Sequence, residues 1–224
     1  MRIFIARHGQ PALEGMAPGV NHEFPPGDCV LTALGRKQAA FLGGFLKKLD
    51  FHGRVISSPY ARTMETASVA AGICGATIFP EPRIQERRFY PDPPCPGLTI
   101  AELRRSFPNI DPAAELAFPW IVPGGPEEQE DVLRRVGAFT EEVLDRPPKE
   151  DLLLVGHGAS VGALMRIFGT KARFTGDLGY SWNCALGGFE LTDAGELVFL
   201  RPMGAEFIPE EFITSNRRRF GDPE

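Results

Sequence analysis

The chain has 224 residues, of which 43% are hydrophobic and 24% are charged, so a disordered chain or a coiled coil is excluded for the protein as a whole. Its length suits one domain with a sizeable core, with room for an insertion. Lysine and arginine total 24 against 29 acidic residues, and the net charge of −5 provides no general basic field for nucleic acid or an anionic membrane.

The first 57 residues contain two predicted strands and one predicted helix. Residues 2–6 are β-branched and aromatic and stop at Arg7-His8-Gly9, which predicts a buried strand followed by a loop. Residues 10–29 are rich in glycine and proline and are expected to be irregular. Thr32 is a suitable N-cap for a helix over 33–49, where apolar residues recur near helical spacing. A short strand follows at 54–57.

The middle of the chain alternates regular and proline-rich segments. Ser58-Pro59 is predicted to open a helix that runs to about residue 71, because proline is favourable in a first helical turn. A third strand is predicted at 76–79. Between it and a long amphipathic helix at 127–144 lie two proline-rich stretches around a short helix at 99–106. We interpret roughly residues 80–126 as a cap inserted into a single domain of residues 1–224.

The last third returns to the alternating pattern. Residues 151–155 are almost all apolar, as in a strand buried on both faces, and they end at Gly156-His157-Gly158. A helix over 159–168 and strands at 183–191 and 197–200 follow. Strands alternating with helices predict an α/β fold, a three-layer αβα sandwich with a mostly parallel sheet.

Two features bear on the compartment and on cofactors. The apolar run at the N-terminus is too short for a signal peptide, and no apolar stretch approaches the roughly 18 residues of a membrane-spanning helix. We therefore expect a cytoplasmic protein with no membrane contact. The cysteines form no pair and no cluster at zinc-ligand spacing, so we expect no metal and no other cofactor: they are Cys29, Cys74, Cys95 and Cys184.

Residues that suit phosphate chemistry follow several of the predicted strands. Open α/β sheets bind ligands beyond the carboxyl ends of their strands, where we expect Arg7, His8, Arg62 and His157. Arginine donates two hydrogen bonds to adjacent phosphate oxygens, so Arg7 and Arg62 are candidates for a phosphate clamp. A neutral imidazole can attack phosphorus, and we assign that role to His8, with His157 donating to the transferring group. Because phosphoryl transfer depends mainly on positioning and charge neutralisation, this set can act without a metal.

The leaving group needs a proton, and a carboxylic acid beyond the third strand is expected to supply it. Glu86 is the best-placed candidate for this general acid. Glu81 and Asp92 lie in the same region and are its rivals. Arg87 is a possible contact for a second anionic group on the substrate, although a solvated surface arginine is the plain alternative.

Several segments together resemble the histidine phosphatase superfamily, also called the phosphoglycerate mutase-like family. The resemblance covers about residues 2–200 in order, and the segments that carry it are Phe4-Ile5-Ala6-Arg7-His8-Gly9-Gln10, Leu31-Thr32-Ala33-Leu34-Gly35 with Gln38-Ala39, Ser57-Ser58-Pro59-Tyr60-Ala61-Arg62-Thr63-Met64-Glu65-Thr66-Ala67, Val155-Gly156-His157-Gly158 and Asn183-Cys184. The resemblance implies that His8 is the nucleophile, that Arg7, Arg62 and His157 complete the phosphate pocket, and that Glu86 is the proton donor.

Two stretches depart from the family pattern. The loop after Gly9 lacks the Ser/Thr and Asn residues of many members, and Gln10 and Asn21 are the candidates to replace them as substrate contacts. After Glu86 the chain continues Arg87-Arg88-Phe89-Tyr90, which is closer to the mutase branch than to the phosphatase branch, yet the rest of the mutase pattern is missing.

Three functions remain open at this point. The first is a phosphatase that hydrolyses a phosphate monoester of a small metabolite, or a phosphohistidine on a protein, through a phosphohistidine on His8. The second is a phosphoglycerate mutase, which must exclude water while its intermediate is re-oriented. The third is a non-catalytic scaffold of the same fold that binds phosphate. A small phosphorylated substrate is the expected partner, and the sequence does not determine the oligomeric state.

Overall fold

A computed structural model of the protein describes residues 1–12, 28–89, 96–121, 125–215 and, for the backbone, 218–219. The described strands of the main sheet are β1 (Arg2–Arg7), β2 (Gly53–Ser57), β3 (Ile78–Pro80), β4 (Asp151–Gly156), β5 (Leu186–Leu191) and β6 (Leu197–Gly204). A second, two-stranded sheet joins β7 (Thr214–Ser215) to β8 (Arg218–Arg219).

The main sheet has the strand order β3-β2-β4-β1-β5-β6. The β3-β2, β2-β4 and β4-β1 pairs are parallel, and β5 and β6 are added in antiparallel pairs. The central strands β1 and β4 are buried on both faces, which explains their nearly continuous apolar sequences. The prediction of an α/β fold with a mostly parallel sheet is confirmed.

Helices cover both faces of this sheet. The described α-helices are α1 (Ala33–Lys48), α2 (Ala61–Cys74), α3 (Ile100–Ser106), α4 (Gln129–Asp145) and α5 (Gly158–Lys171), with short 3-10 helices at Pro82–Ile84 and Glu210–Phe212. α1 packs against α2, and α4 packs against α5. Because parallel crossovers are right-handed, the reversal of chain direction across the sheet after β3 puts these two pairs on opposite faces. No helix in the described ranges has the length and apolar character needed to cross a bilayer.

The start of α2 differs from its prediction. The helix begins at Ala61, with Tyr60 as its N-cap, whereas Ser58-Pro59 was predicted to open it. A residue that precedes proline is disfavoured in helical backbone, so Ser58 stays extended. Its N–H donates to the carbonyl of Val155 at 3.0 Å, which continues the sheet rather than starting the helix. Ser58 therefore lies beside the end of β4.

The predicted cap region contains both packed and unassigned segments. Within it, Ile110 pairs with Ile78, so this segment covers the β3 edge of the sheet. Trp120 is buried, and its indole N–H donates to the carbonyl of Leu98 at 2.9 Å. Residues 90–95 and 122–124 lie outside the described ranges. The limits of a cap over residues 80–126 therefore stay a prediction.

Register brings the strand ends together. Arg7 at the end of β1 lies opposite Gly156 of β4, and Ser57 of β2 lies opposite Val155. Parallel strands end at the same edge of a sheet, so the residues that follow these strands meet there. His8 and His157 are consequently neighbours although 149 positions separate them.

The first turn of α1 packs against the loop after His8 through two glycines, and this contact generates a stability prediction. A Cβ on Gly35 would collide with the carbonyl oxygen of Gln10, and one on Gly9 would lie 2.6 Å from the carbonyl oxygen of Gly35. Gly44, on the same helix, has open space around it.

We expect Gly35→Ala to destabilise the protein by about 1–3 kcal/mol, the usual range for overpacking. Gly44→Ala should instead stabilise it by up to about 1 kcal/mol, since alanine is the better helix former. Urea unfolding of both variants measures the difference, and equal effects would contradict this packing.

Candidate active site

His8 lies just past β1, 2% exposed, with its backbone and ring both held in place. Its N–H donates to the carbonyl of Gly156 at 3.0 Å, and its carbonyl accepts from the Asn183 side-chain amide at 3.1 Å. The ring Nδ1 lies 2.7 Å from the carbonyl oxygen of Gly9. A carbonyl only accepts, so Nδ1 carries the hydrogen and the neutral ring presents a lone pair on Nε2.

The surroundings of His8 keep this ring neutral. Burial is the largest cause, followed by the positive charges of Arg62 and Arg7, and together they hold the pKa of His8 well below its ordinary value. The hydrogen bond to Gly9 opposes this shift but does not offset it. His8 is therefore an uncharged imidazole at neutral pH with an available Nε2.

His157 forms the second half of the site. Its ring centroid lies 5.2 Å from that of His8, in an edge-to-face arrangement. Its Nε2 shares a hydrogen bond with the hydroxyl of Ser58 at 2.8 Å, and burial, together with the Arg62 charge, also holds the pKa of His157 well below its ordinary value. Its Nδ1 is buried and has no hydrogen-bond partner among the described residues. A buried polar atom left unpaired costs roughly 1–3 kcal/mol, which indicates a position made for a ligand.

Two arginines supply positive charge to both rings. Arg7 is mostly buried, and its Nη1 donates to the carbonyl of Ser181 at 2.9 Å and to the hydroxyl of Ser215 at 3.0 Å. Burial lowers the pKa of Arg7, and the nearby Glu86 carboxylate opposes that shift. Arg62 lies in the first turn of α2, and its charge acts on His8 and His157 alike. The structure thus brings together all four residues that the sequence nominated for the phosphate pocket.

Thr66 connects α2 to the loop that carries His8. Its hydroxyl accepts from the N–H of Gly9 at 3.0 Å and donates to the carbonyl of Arg62 at 2.7 Å. This single side chain therefore fixes the distance between the His8 loop and the helix turn of Arg62.

Tyr60 is an aromatic contact of the site that sequence reasoning missed. Its ring meets the His157 ring edge-to-face, with centroids 5.4 Å apart, and the Arg62 guanidinium lies 4.7 Å from its centroid. The Trp120 ring also packs edge-to-face against the Tyr60 ring, with centroids 5.0 Å apart. A cation over an aromatic face is held electrostatically, so Tyr60 supports both Arg62 and His157. No pattern around Tyr60 distinguished it beforehand, because the contact depends on Trp120 from a distant segment.

Glu86, the sequence-predicted proton donor, contacts the start of α5 beside His157. Its Oε1 accepts from the backbone N–H of Arg87 at 2.9 Å and from that of Ala159 at 3.3 Å, in the first turn of α5 just after His157. Glu81 is instead occupied with Arg83, whose Nη2 donates to it at 2.7 Å. Asp92 lies outside the described residues.

The three further substrate contacts named from the sequence lie in different situations. The side-chain oxygen of Gln10 accepts from the Thr32 hydroxyl at 2.8 Å, which ties the loop to the start of α1. Arg87 donates from Nε to the carbonyl of Glu127 at 2.5 Å and from Nη2 to Glu128 at 3.2 Å. Asn21 lies outside the described residues. Gln10 and Arg87 therefore contact the protein itself at these atoms.

The described part of the chain brings no three His, Cys, Asp or Glu side chains together in a group able to hold a metal ion.

A buried carboxyl group, that of Asp28, lies near Arg62, and sequence reasoning missed it. Asp28 is 2% exposed, and its Oδ1 accepts from the N–H of Ala61 at 2.6 Å, at the start of α2. Burial raises the pKa of Asp28 to about 7, although the hydrogen bond from Ala61 and the charge of Arg62 oppose this. Asp28 belongs to a loop whose composition predicts only irregular structure, so no local signal indicates its role.

The raised pKa of Asp28 predicts the direction in which the stability of the protein changes with pH. The folded state keeps this proton up to about pH 7, whereas the unfolded chain releases it near 3.8, so ionisation costs folding free energy as pH rises through this window. Asp28→Asn keeps an acceptor oxygen for Ala61 and has no charge to bury. We expect it to stabilise the protein at pH 8 by on the order of 2 kcal/mol relative to wild type, and by less at pH 5. Urea unfolding at both pH values tests this, with the exposed Asp193→Asn as control. An equal effect of Asp28→Asn at both pH values would refute it.

Comparison with known proteins gives a consistent result. A sequence model described as the histidine phosphatase superfamily (branch 1) matches residues 3–200. A relative from Yersinia pestis (strain Pestoides F), named "Probable phosphoglycerate mutase GpmB", is 28% identical over 169 residues, which is 74% of this chain and 73% of the relative.

Solved structures share the fold at low sequence identity. The ecdysone phosphate phosphatase of Bombix mori has a TM-score of 0.64 and 17% identity, over 91% of this chain and 94% of that one. A mycobacterial glucosyl-3-phosphoglycerate phosphatase has a TM-score of 0.56 and 20% identity, over 90% and 97% of the two chains. Since the family match extends over most of the sequence, the chain belongs to the histidine phosphatase superfamily.

Proposed function

We propose that the protein is a phosphatase that hydrolyses a phosphate monoester of a small metabolite, or a phosphohistidine on a protein, through a phosphohistidine on His8. The observation that carries this proposal is the state of His8. It is a buried, neutral imidazole whose Nδ1 is bound to Gly9 and whose Nε2 is available, beside two arginines and a second histidine. A nucleophile toward phosphorus needs that lone pair, and the bound phosphate needs those cations.

The first step is transfer of the phosphoryl group to the enzyme. The Nε2 lone pair of His8 forms a bond to phosphorus while the bond from phosphorus to the ester oxygen breaks. The leaving oxygen takes a proton from Glu86, whose carboxyl group lies at the start of α5 next to His157. General acid catalysis of this kind contributes roughly 10²–10⁴-fold to rate.

The second step returns the enzyme to its starting state. Glu86, now a carboxylate, accepts a proton from a water molecule whose oxygen attacks phosphorus. The bond between phosphorus and Nε2 breaks, the electron pair returns to His8, and inorganic phosphate leaves. The protonated Glu86 is then ready for the next substrate.

The charges around the phosphoryl group supply the remaining catalysis. Arg7 and Arg62 neutralise the equatorial oxygens, and Ser58 and Tyr60 hold His157 toward the same position. His8 and His157 are both nearly inaccessible to solvent, so these charges act in a largely desolvated site. Electrostatic interactions are stronger in such a site than in water. The structure of the ecdysone phosphate phosphatase was solved with tungstate, and that oxyanion is a suitable binding probe for this pocket.

Phosphoglycerate mutase activity is the second candidate, and the named Yersinia relative supports it. A mutase must bind a carboxylate as well as a phosphate, and Arg87 was nominated for such a second anion. Arg87 instead donates to Glu127 and Glu128, which favours hydrolysis. Turnover of p-nitrophenyl phosphate without a bisphosphoglycerate primer supports the phosphatase, whereas primer-dependent conversion of phosphoglycerate without phosphate release supports the mutase. A non-catalytic scaffold would bind tungstate and turn over neither.

Removing the nucleophile tests the central step. We expect His8→Ala to lower the turnover of p-nitrophenyl phosphate by at least about 10³-fold, because the substitution removes the Nε2 lone pair that attacks phosphorus. Phosphate release measures the rate, and rapid quenching of wild type with a ³²P-labelled ester should trap label on His8. His52→Ala is the control, since the His52 side chain is exposed and its ring pairs with Asp50. Full activity in His8→Ala would end this mechanism.

The proton donor is tested by the leaving group. Phenol is a weaker acid than p-nitrophenol, so its phosphate ester depends more on protonation in the first step. We expect Glu86→Gln to lower kcat/KM for phenyl phosphate about 100-fold and for p-nitrophenyl phosphate less than about tenfold. Glu81→Gln serves as control, because Glu81 is paired with Arg83. Equal slowing of both esters would remove Glu86 from this role.

A further inference from the structure

A partly buried arginine on α4, Arg135, holds the short loop that carries Glu86. Arg135 donates from Nη1 to the carbonyls of Arg83 at 2.7 Å and Gln85 at 3.0 Å, and from Nη2 to the carbonyl of Glu86 at 3.2 Å. The loop after the 3-10 helix has no regular hydrogen-bond ladder of its own between residues 86 and 89. Its backbone position near Glu86 therefore depends on this side chain.

Arg135 is itself fixed by a buried carboxylate. Glu127 is 3% exposed, and its two oxygens accept from Arg135 Nε at 2.8 Å and Nη2 at 3.1 Å. Burial alone would raise the pKa of Glu127, but the bonds from Arg135 and from the N–H of Arg88 outweigh it and lower that pKa. Glu127 is thus a charged partner in the interior.

Glu127 also binds the far side of the loop. Its Oε2 accepts from the N–H of Arg88 at 3.0 Å, and its own N–H donates to the carbonyl of Arg88 at 2.9 Å. Arg135 binds the residues that precede Glu86, and Glu127 binds Arg88, which follows it. The same ion pair therefore holds the loop on both sides of Glu86. Burial is the largest cause of the lowered pKa of His157, and the charge of Arg135 adds a small part to that shift.

We propose that Arg135 and Glu127 form a positioning clamp that holds Glu86 at the distance needed for proton transfer to the leaving oxygen. This proposal rests on the proposed function, because it takes Glu86 as the proton donor. Neither residue is assigned a contact with substrate. They act through the backbone of residues 83–88, which they hold at both ends.

The chemistry of the clamp explains why it uses arginine. The planar guanidinium donates from three nitrogens in fixed directions, and here all three nitrogens have acceptors. Lysine donates from a single point and cannot reach the loop carbonyls and Glu127 together. A displacement of a catalytic group by about 1 Å can cost on the order of 100-fold in rate, so loss of the fork should be visible in kinetics.

Arg135→Lys is the main test, because it keeps a positive charge beside the buried Glu127. We expect kcat/KM for phenyl phosphate to fall about tenfold or more, with less than about a threefold change for p-nitrophenyl phosphate. Tungstate affinity should stay within about twofold, since Arg7, Arg62 and the histidines are untouched. Arg134→Lys is the matched control: Arg134 precedes Arg135 on α4, is exposed, and pairs with Asp131.

A double substitution separates positioning from a general structural role. If Arg135 acts through Glu86, adding Arg135→Lys to Glu86→Gln should slow phenyl phosphate no further than Glu86→Gln alone. Thermal unfolding of each variant checks that it is folded. Should Arg135→Lys fail to fold, Arg135→Leu combined with Glu127→Leu leaves no unpaired buried charge and removes the same bonds to the loop, so it must show the same selectivity.

Any one of four results would overturn the clamp. Equal slowing of both esters by Arg135→Lys, or additive slowing in the double variant, assigns Arg135 a structural role only. Wild-type rates for both esters in Arg135→Lys, together with a changed ratio in Glu86→Gln, refute the clamp and leave the proposed function standing. An unchanged ratio in Glu86→Gln itself refutes the proton donor of the proposed function and the clamp with it.

Discussion

The register between β1 and β4 is the constraint on which the rest of the site depends. Pairing of Arg7 with Gly156 means that the residues after each strand, His8 and His157, emerge side by side. The side-chain period of a strand is two, so a slip of one residue would send Arg7 to the opposite face and separate it from the histidines. Both strands are packed on both faces, so a slip would disrupt the close packing there, and the position of the site is therefore set by the core beneath it.

Burial and positive charge act together once these residues meet. Either histidine alone in water would be partly protonated near pH 6.5, but desolvation and the two arginines keep both rings neutral. The same field that disfavours a proton favours an anion. A pocket that disfavours protonated imidazole thus suits a phosphate group and preserves the lone pair that His8 needs. When Glu86 is a carboxylate, between the two proposed steps, its charge offsets part of that of Arg7.

Long-range side-chain contacts join the less regular segments to this centre. Trp120 supports Tyr60, which in turn contacts His157 and Arg62. Arg135 lies on α4 and Glu127 lies just before that helix. Together they hold the loop that carries Glu86. In both cases a side chain far along the chain substitutes for the regular backbone hydrogen bonds that the loops lack. The sheet positions His8, and these side-chain contacts hold the loops around it in place.

Local pattern in the sequence was enough for the strands, most helix positions and the identity of the four residues at the strand ends. Apolar runs and helical spacing depend on neighbouring residues, and His8, Arg62 and His157 follow elements that such patterns predict. The predicted start of helix α2 was too early, because Ser58 pairs with Val155 of β4, a strand distant in sequence. The roles of Tyr60, Asp28 and Arg135 needed the tertiary structure, since each depends on a partner about 30 to 60 positions away that only packing brings into contact. Sequence determined which chemical groups are present at the sheet edge, and the fold decided which of them are buried, charged and held in place.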